Sequence, residues 1–371
     1  MKKILMSTSA LVAAGMLVAA PASAKVKIGL GGYMSATAGF ADNDGSFEVE
    51  ANSGTGNTER DAFNLVMESE VYFKGNTKLD NGTRIDVIIQ LETDQSSNGT
   101  QIDESYLKLT GGFGDVRIGS TAFATAVLRN TAVYTGPYRL DTPDLNNFIT
   151  QPTAVTVRRG NTAAQAGNDQ VKVAYISPIF NGLRFGASWL NDASTGNTAA
   201  NVGGTGGTTT QAYDIGIQYG NKTFKVDLSQ YKQIGTAANT FKQNRAGINV
   251  TLGATKIGAS MAKQDNVGQR TVAGNNKGST TDSDQGDSFD IGVSHKIGAY
   301  TVGLAYFNSK SDLAAAGDDE ETSISLGAST AIGPGVTGSV GIYNVDHTDV
   351  TNTATNNNNG WALIGQVKVA F

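Results

Sequence analysis

Apolar and polar residues alternate with a period of two along most of this chain, which is the pattern of a strand with one apolar and one wet face. In VKIGLGGYMSATAGF, residues Val26, Ile28, Leu30, Met34 and Phe40 share one face. Lys27, Gly29, Gly31, Ser35 and Thr37 take the other. FNLVMESEVYFK sets Phe63, Leu65, Met67, Val71 and Phe73 against Asn64, Glu68, Glu70 and Lys74, and TRIDVIIQLE sets Ile85, Val87, Ile89 and Leu91 against Arg84, Asp86, Gln90 and Glu92. LRFGASW, YDIGIQY, YTVGLAY and WALIGQVKVAF continue the alternation. The second face carries Gly, Ser, Thr and charges. That composition suits the inside of something wide and wet.

Sixteen such segments are expected, near residues 25–41, 61–76, 82–94, 102–110, 114–120, 169–177, 182–190, 211–220, 223–231, 242–252, 255–264, 287–296, 299–308, 321–330, 335–344 and 360–371. The connections alternate between short and long. Seven are tight and carry turn chemistry, among them Asn81-Gly82, Gly111-Gly112, Asn181-Gly182 and Gly333-Pro334. The other eight are rich in Asn, Gly, Thr and Asp, such as DHTDVTNTATNNNN. Short turns at one end and long loops at the other mark a transmembrane barrel. Backbone polar groups cannot stay unpaired in hydrocarbon, so strands cross it only as a closed cylinder. The expected fold is all-β: a 16-stranded antiparallel transmembrane β-barrel, wide enough for an aqueous bore. Aromatic residues recurring at strand ends, including Phe40, Phe63, Trp189, Tyr213, Tyr219 and Trp361, are expected to form interfacial girdles.

One connection breaks the pattern. Residues 121–168 have no sustained period, yet they carry Phe123, Val127, Leu128, Val133, Tyr134, Tyr138, Leu140, Leu145, Phe148 and Ile149. A loop of that length inside a compact domain is functional or disordered, and this apolar content argues against disorder. Arg129, Arg139, Asp141, Asp144, Arg158 and Arg159 lie in the same stretch. Such a mixture needs a wall to pack on and a polar space to face. The third loop is therefore expected to fold into the lumen and narrow it.

Composition adds a location. Residues 1–24 read as a cleaved signal peptide: Lys2 and Lys3, an apolar run from Ala10 to Ala20, and Ala22-Ser23-Ala24 as the cleavage site. The barrel then spans 25–371. Cysteine is absent, so no disulfide framework or thiolate metal site is possible. Loss of Lys2 and Lys3 takes the formal net charge from −5 to −7, and no basic stripe is present, which argues against nucleic acid as a partner.

Two blocks carry a family resemblance. DESYLKLTGGFGDVRIGS (103–120) and VKVAYISPIFNGLRFGASW (171–189) resemble the strand pairs flanking the third loop in the Gram-negative general diffusion porins. Phe371 is similar to the terminal aromatic that such barrels present to the barrel assembly machinery, although Gly365 interrupts the apolar positions upstream. The resemblance implies a homotrimer in the outer membrane, passing small hydrophilic solutes and ions by passive diffusion through a water-filled channel. It also implies loop acids facing wall bases across a constriction. The acids are Asp141 and Asp144; the bases are Lys27, Arg84, Lys108, Arg117 and Lys172. Arg129 and Arg139 add positive charge on the loop, balanced by Glu68, Glu70 and Glu104 on the wall. A solute-specific channel and a non-conducting structural or adhesive barrel are the alternatives.

Other chemistry finds little support. The only histidines are His295 and His347, with no G-x-S-x-G beside them, so a hydrolase is not expected. Acidic runs at Asp42–Ser46, Asp282–Asp284 and Gly317–Glu321 resemble calcium-loving loops, but none completes an EF-hand. They are expected to be solvated outer loops, at which Ca2+ would bridge to lipopolysaccharide phosphates. No phosphate-cradling glycine loop is present, because Gly203–Gly207 has no helix after it.

Overall fold

The computed structural model describes residues 26–48, 61–93, 102–157, 170–191, 211–234, 241–266, 286–312, 318–351 and 353–371. The expected signal peptide, Arg158, Arg159, Gly203–Gly207 and Asp282–Asp284 lie outside them. Sixteen strands follow one another: β1 (Lys27–Asp42), β2 (Phe63–Lys78), β3 (Arg84–Glu92), β4 (Ile102–Gly111), β5 (Gly114–Ser120), β6 (Val171–Ile176), β7 (Leu183–Leu190) and β8 (Gln211–Gly220). The second half comprises β9 (Phe224–Ile234), β10 (Phe241–Leu252), β11 (Thr255–Asn266), β12 (Gly286–Ile297), β13 (Tyr300–Asp312), β14 (Asp318–Gly333), β15 (Val336–Thr348) and β16 (Asn358–Ala370). Each pairs antiparallel with its sequence neighbours, and β16 pairs with β1 to close the sheet. At this seam the amides of Gly32 and Phe371 each donate to the other's carbonyl at 3.0 Å. Closure leaves no row of unpaired backbone groups to meet lipid.

Every expected segment contains a strand, but several strands run further at the long-connection end. β9 continues to Ile234, β14 begins at Asp318 and β15 reaches Thr348. Apart from Ile234 and Val345, these extensions are polar on both faces. They pair through their backbones, so hydrophobic alternation does not reveal them. On their outer side a row of alternating charge crosses four strands, Lys263, Asp287, Lys310 and Glu320, in register. It stands beyond the apolar band, where charge is cheaper than at mid-membrane.

The two faces separate as the alternation requires. Ile28, Leu30, Met34, Phe40, Leu65, Ile215, Leu228, Leu326 and Leu363 are exposed, although they are large and apolar. Side chains on the alternate positions of the strands, such as Ser35, Thr37, Ser188, Asp214 and Asp290, are buried. Aromatic pairs mark the ends of the exposed face: Phe40 with Phe63 at 5.1 Å, Trp189 stacked on Tyr213, and Tyr219 with Phe224. At the short-turn end, Asn181 and Gly182 both have positive φ (49° and 87°), the geometry that their sequence promises for a tight hairpin.

Candidate functional site

What buries the polar face is the connection between β5 and β6, whose residues 121–157 are described. Among these described residues it contains one short helix, α1 (Ala124–Leu128), and a single 3-10 turn at Pro143–Asn147. Its extended backbone has few partners of its own, so its amides need acceptors elsewhere. The wall supplies them strand by strand. Ser188 on β7 accepts from the Ala124 amide at 2.7 Å, and Asp214 on β8 from Thr125 at 2.8 Å. Asp227 on β9 takes both the amide and the side-chain nitrogen of Asn130, at 2.6 and 2.8 Å. Asp290 on β12 accepts from the Ala132 amide and the Tyr134 hydroxyl, each at 3.2 Å, and from Ser260 at 2.6 Å. Arg245 on β10 joins the carbonyl of Asn130 to the carboxyl of Asp227. Further on, Tyr343 on β15 accepts from the Tyr138 amide, and Asn43 beyond β1 accepts from Thr150.

Room for the segment comes from missing side chains. A Cβ at Gly186 or Gly216 would fall 3.0 Å from Ala124 Cβ or 2.9 Å from Thr125 Cγ2. At Gly247, Gly258, Gly292 and Gly327 it would run into backbone atoms of Asn130, Thr131, Val133 and Thr135. The glycines of the polar face form a track, and the segment lies in it.

The far half of the segment is held differently. Leu140, Leu145, Phe148 and Ile149 are buried against Phe307 on β13, Tyr343 and Val345 on β15, and Ile364 on β16. Here the face that elsewhere is polar turns apolar. The apolar groups of the segment thus find the wall they require, and their burial, at about 1.5–3 kcal/mol per large side chain, fixes this end.

With that geometry in hand, comparison with known proteins is decisive for the family. The family model described as Gram-negative porin matches residues 7–351. The chain belongs to the Gram-negative porin family. Among solved structures it is similar to the trimer form of OmpT from Vibrio cholerae, with a TM-score of 0.63 at 11% identity over 93% of this chain and 99% of that one. It is also similar to the anion-selective porin from Comamonas acidovorans (TM-score 0.61, 16% identity, 94% and 100% covered). The outer membrane channel DcaP of Acinetobacter baumannii gives a TM-score of 0.60 at 14% identity, covering 93% and 97%. At these identities the structures speak for the fold alone. A search of curated protein sequences gave no match. The protein is a porin-type β-barrel channel of the Gram-negative outer membrane.

In this porin the charges named from sequence scatter over several environments. Asp141 is buried and accepts from Arg139 of the same segment, whose guanidinium also lies 4.6 Å over the Tyr134 ring. Asp144 is exposed and takes the Thr142 hydroxyl at 2.7 Å. Burial first, then the like charges of Arg245 and Arg139, pull the Arg129 guanidinium down to about 10, so it stays a cation at neutral pH. Burial raises the Tyr138 hydroxyl to about 12. Lys172 is buried, donates to the carbonyls of Thr121 and Gln170, and sits over the Phe123 ring, anchoring the start of the segment. Lys108 lies 3.7 Å from Asp115, Arg117 flanks the Tyr106 ring, and Arg84 pairs with Asp86 near the short-turn end. Lys27 opens β1 and is exposed. Glu68 and Glu70 on β2 accept from the Tyr33 hydroxyl at 2.7 and 3.0 Å, and Glu104 accepts from the Ala122 amide at 2.8 Å.

Of the acidic runs, Asp44 takes the Asn359 amide, and Asp319 takes those of Thr156 and Val350. Among the described residues no group of three or more His, Cys, Asp or Glu side chains could hold a metal ion. His347 is buried 3.8 Å from Glu321, and His295 is exposed beside Thr255.

Sequence reasoning missed the anchors Asp214, Asp227, Asp290 and Arg245. It also missed a cluster of cations at the short-turn end. There a cavity of about 1060 Å³ opens between Arg129–Tyr134 and Arg139 of the segment and the ends of β7–β11, where Arg184, Lys222, Lys225 and Lys256 line it. A lone carboxylate in mid-strand on a glycine-rich face was the readable sign of the anchors.

Proposed function

We propose that the polar face lines a water-filled bore through which small hydrophilic solutes and ions diffuse passively, and that the segment lies within this bore and narrows it. The observation that carries the reading is the segment's course. It bonds in turn to β7, β8, β9, β10, β12 and β15, all through their polar face, while the apolar face stays bare for lipid. Glu68 and Glu70 on β2 stand eight strands, half the circle, from β10, whose neighbours β9 and β11 carry Lys225 and Lys256. Opposite charges on opposite walls set up a transverse field, which orders water and dipolar solutes and slows apolar ones.

The similarity to the trimer form of OmpT and the bare apolar face support a homotrimer. Chemical cross-linking in detergent reads the number of subunits directly. The channel reading is tested by adding purified protein to a planar lipid bilayer. Discrete, ohmic current steps are expected; a folded protein that inserts and passes no current refutes it in favour of a structural barrel.

A further inference from the structure

The cavity at the short-turn end has walls of one charge. Six lining side chains are cations, Arg129, Arg139, Arg184, Lys222, Lys225 and Lys256, and none is a carboxylate. This runs against the molecule as a whole, whose net charge is −5. Two of the six are partly compensated from outside the lining, Arg139 by Asp141 and Arg184 by Asp115 at 3.9 Å, while the neighbouring Asp227 is held by Arg245. Arg129, Lys222, Lys225 and Lys256 take part in no ion pair among the described residues. Two neutral donors of the same wall are spent on the segment, since Gln218 donates to the carbonyl of Leu128 and Asn249 to that of Thr131. What remains for a visiting solute is chiefly positive charge, with the side chains of Asn221, Thr223 and Thr251 beside it. A volume of about 1060 Å³ leaves room for a solute of several functional groups together with its water.

We propose that this cavity is a binding station for small polyanions, solutes bearing a phosphate group or several carboxylates, at the short-turn mouth of the channel. Converging like charges repel one another unless a counter-ion joins them, and low-dielectric walls focus their field. The unpaired lysines Lys225 and Lys256 supply the attraction; Arg129 and Arg184 present planar donor forks that suit phosphate and carboxylate oxygens. The station rests on the channel reading for its role in transport, and on the cavity alone for its binding.

The test uses inorganic phosphate and citrate on the full-length porin, with Lys225→Gln/Lys256→Gln as the altered protein. Lys310→Gln/Lys263→Gln, which removes the same charge from the opposite end, is the control. Calorimetric titration in detergent at low salt should show saturable binding of both anions. Bilayer currents should show phosphate blocking chloride conductance with the same half-saturation. The cavity variant should weaken both by about tenfold, the lower range of such field focusing, while the control leaves them unchanged. No saturable binding to the folded wild-type protein, or equal loss in variant and control, overturns the station. Binding without any current upholds it and refutes the channel reading instead. Circular dichroism confirms that each variant retains its sheet.

Discussion

Asp290→Ala isolates the attachment of the segment to the wall. The Asp290 carboxyl accepts three hydrogen bonds, from the Ala132 amide, the Ser260 hydroxyl and the Tyr134 hydroxyl. The Tyr134 hydroxyl is only part-buried and can rotate towards water. The buried amide cannot, and a donor stranded in this way costs about 1–3 kcal/mol, to which the lost hydroxyl bonds add about 0.5–1.5 kcal/mol each before rehydration. A total near 3 kcal/mol raises local opening about 100-fold, at 1.4 kcal/mol per factor of ten. Hydrogen exchange of the detergent-solubilised protein reads that opening. Amides of residues 131–134 should exchange about 100-fold faster in the variant. Those of Ile291 and Ile257, held between strands, should not change. Asp287→Ala, one residue type and one strand but the opposite face, serves as the control. Unaltered exchange at Ala132 in Asp290→Ala would show that the segment is not held by this carboxyl, and the anchoring argument would fall with it.

Other outcomes follow from the same geometry. Gly292→Ala would place a methyl 3.0 Å from the nitrogen and 3.1 Å from the carbonyl carbon of Val133, so the segment must be pushed away from the wall. Thermal melting should fall by the equivalent of about 1–3 kcal/mol and single-channel conductance should drop; a variant equal to wild type in both would place the segment elsewhere. Ion selectivity, read from the reversal potential across a salt gradient, should be present at about 0.1 M and nearly gone at about 1 M, where screening reaches only about 3 Å. Selectivity that survives the higher salt would mean that the charges act at contact and not through a field.

The barrel was legible because its determinants are local. Alternation gives the strand, Asn-Gly and Gly-Pro give the turns, and the contrast between short and long connections gives the up-and-down order. The site was legible only in part, because it depends on which strand a wandering segment happens to touch. Tyr213-Asp214-Ile215-Gly216 and Phe289-Asp290-Ile291-Gly292 share one arrangement: a carboxylate to take an amide and, two residues on, a glycine to let the backbone approach. Each looked like an ordinary alternating strand until its partner was known. The inward apolar patch left a fainter trace, in runs such as Ala305-Tyr306-Phe307 and Ala362-Leu363-Ile364 where strict alternation calls for a polar group. Pairing within the segment was invisible for another reason. Asp141 and Arg139 are two residues apart across a bend, with no period to say which way either points.

The seat of the segment consists of absences. A wall whose fit is defined by hydrogen atoms in place of carbon can be reshaped one methyl at a time, without moving a strand or altering a charge. On the channel reading, substitutions along the glycine column would adjust the gauge of the passage, and substitutions of cavity lysines such as Lys225 and Lys256, which hold no part of the segment, its preference; the wall carboxylates, which both carry charge and hold the segment, would change the two together.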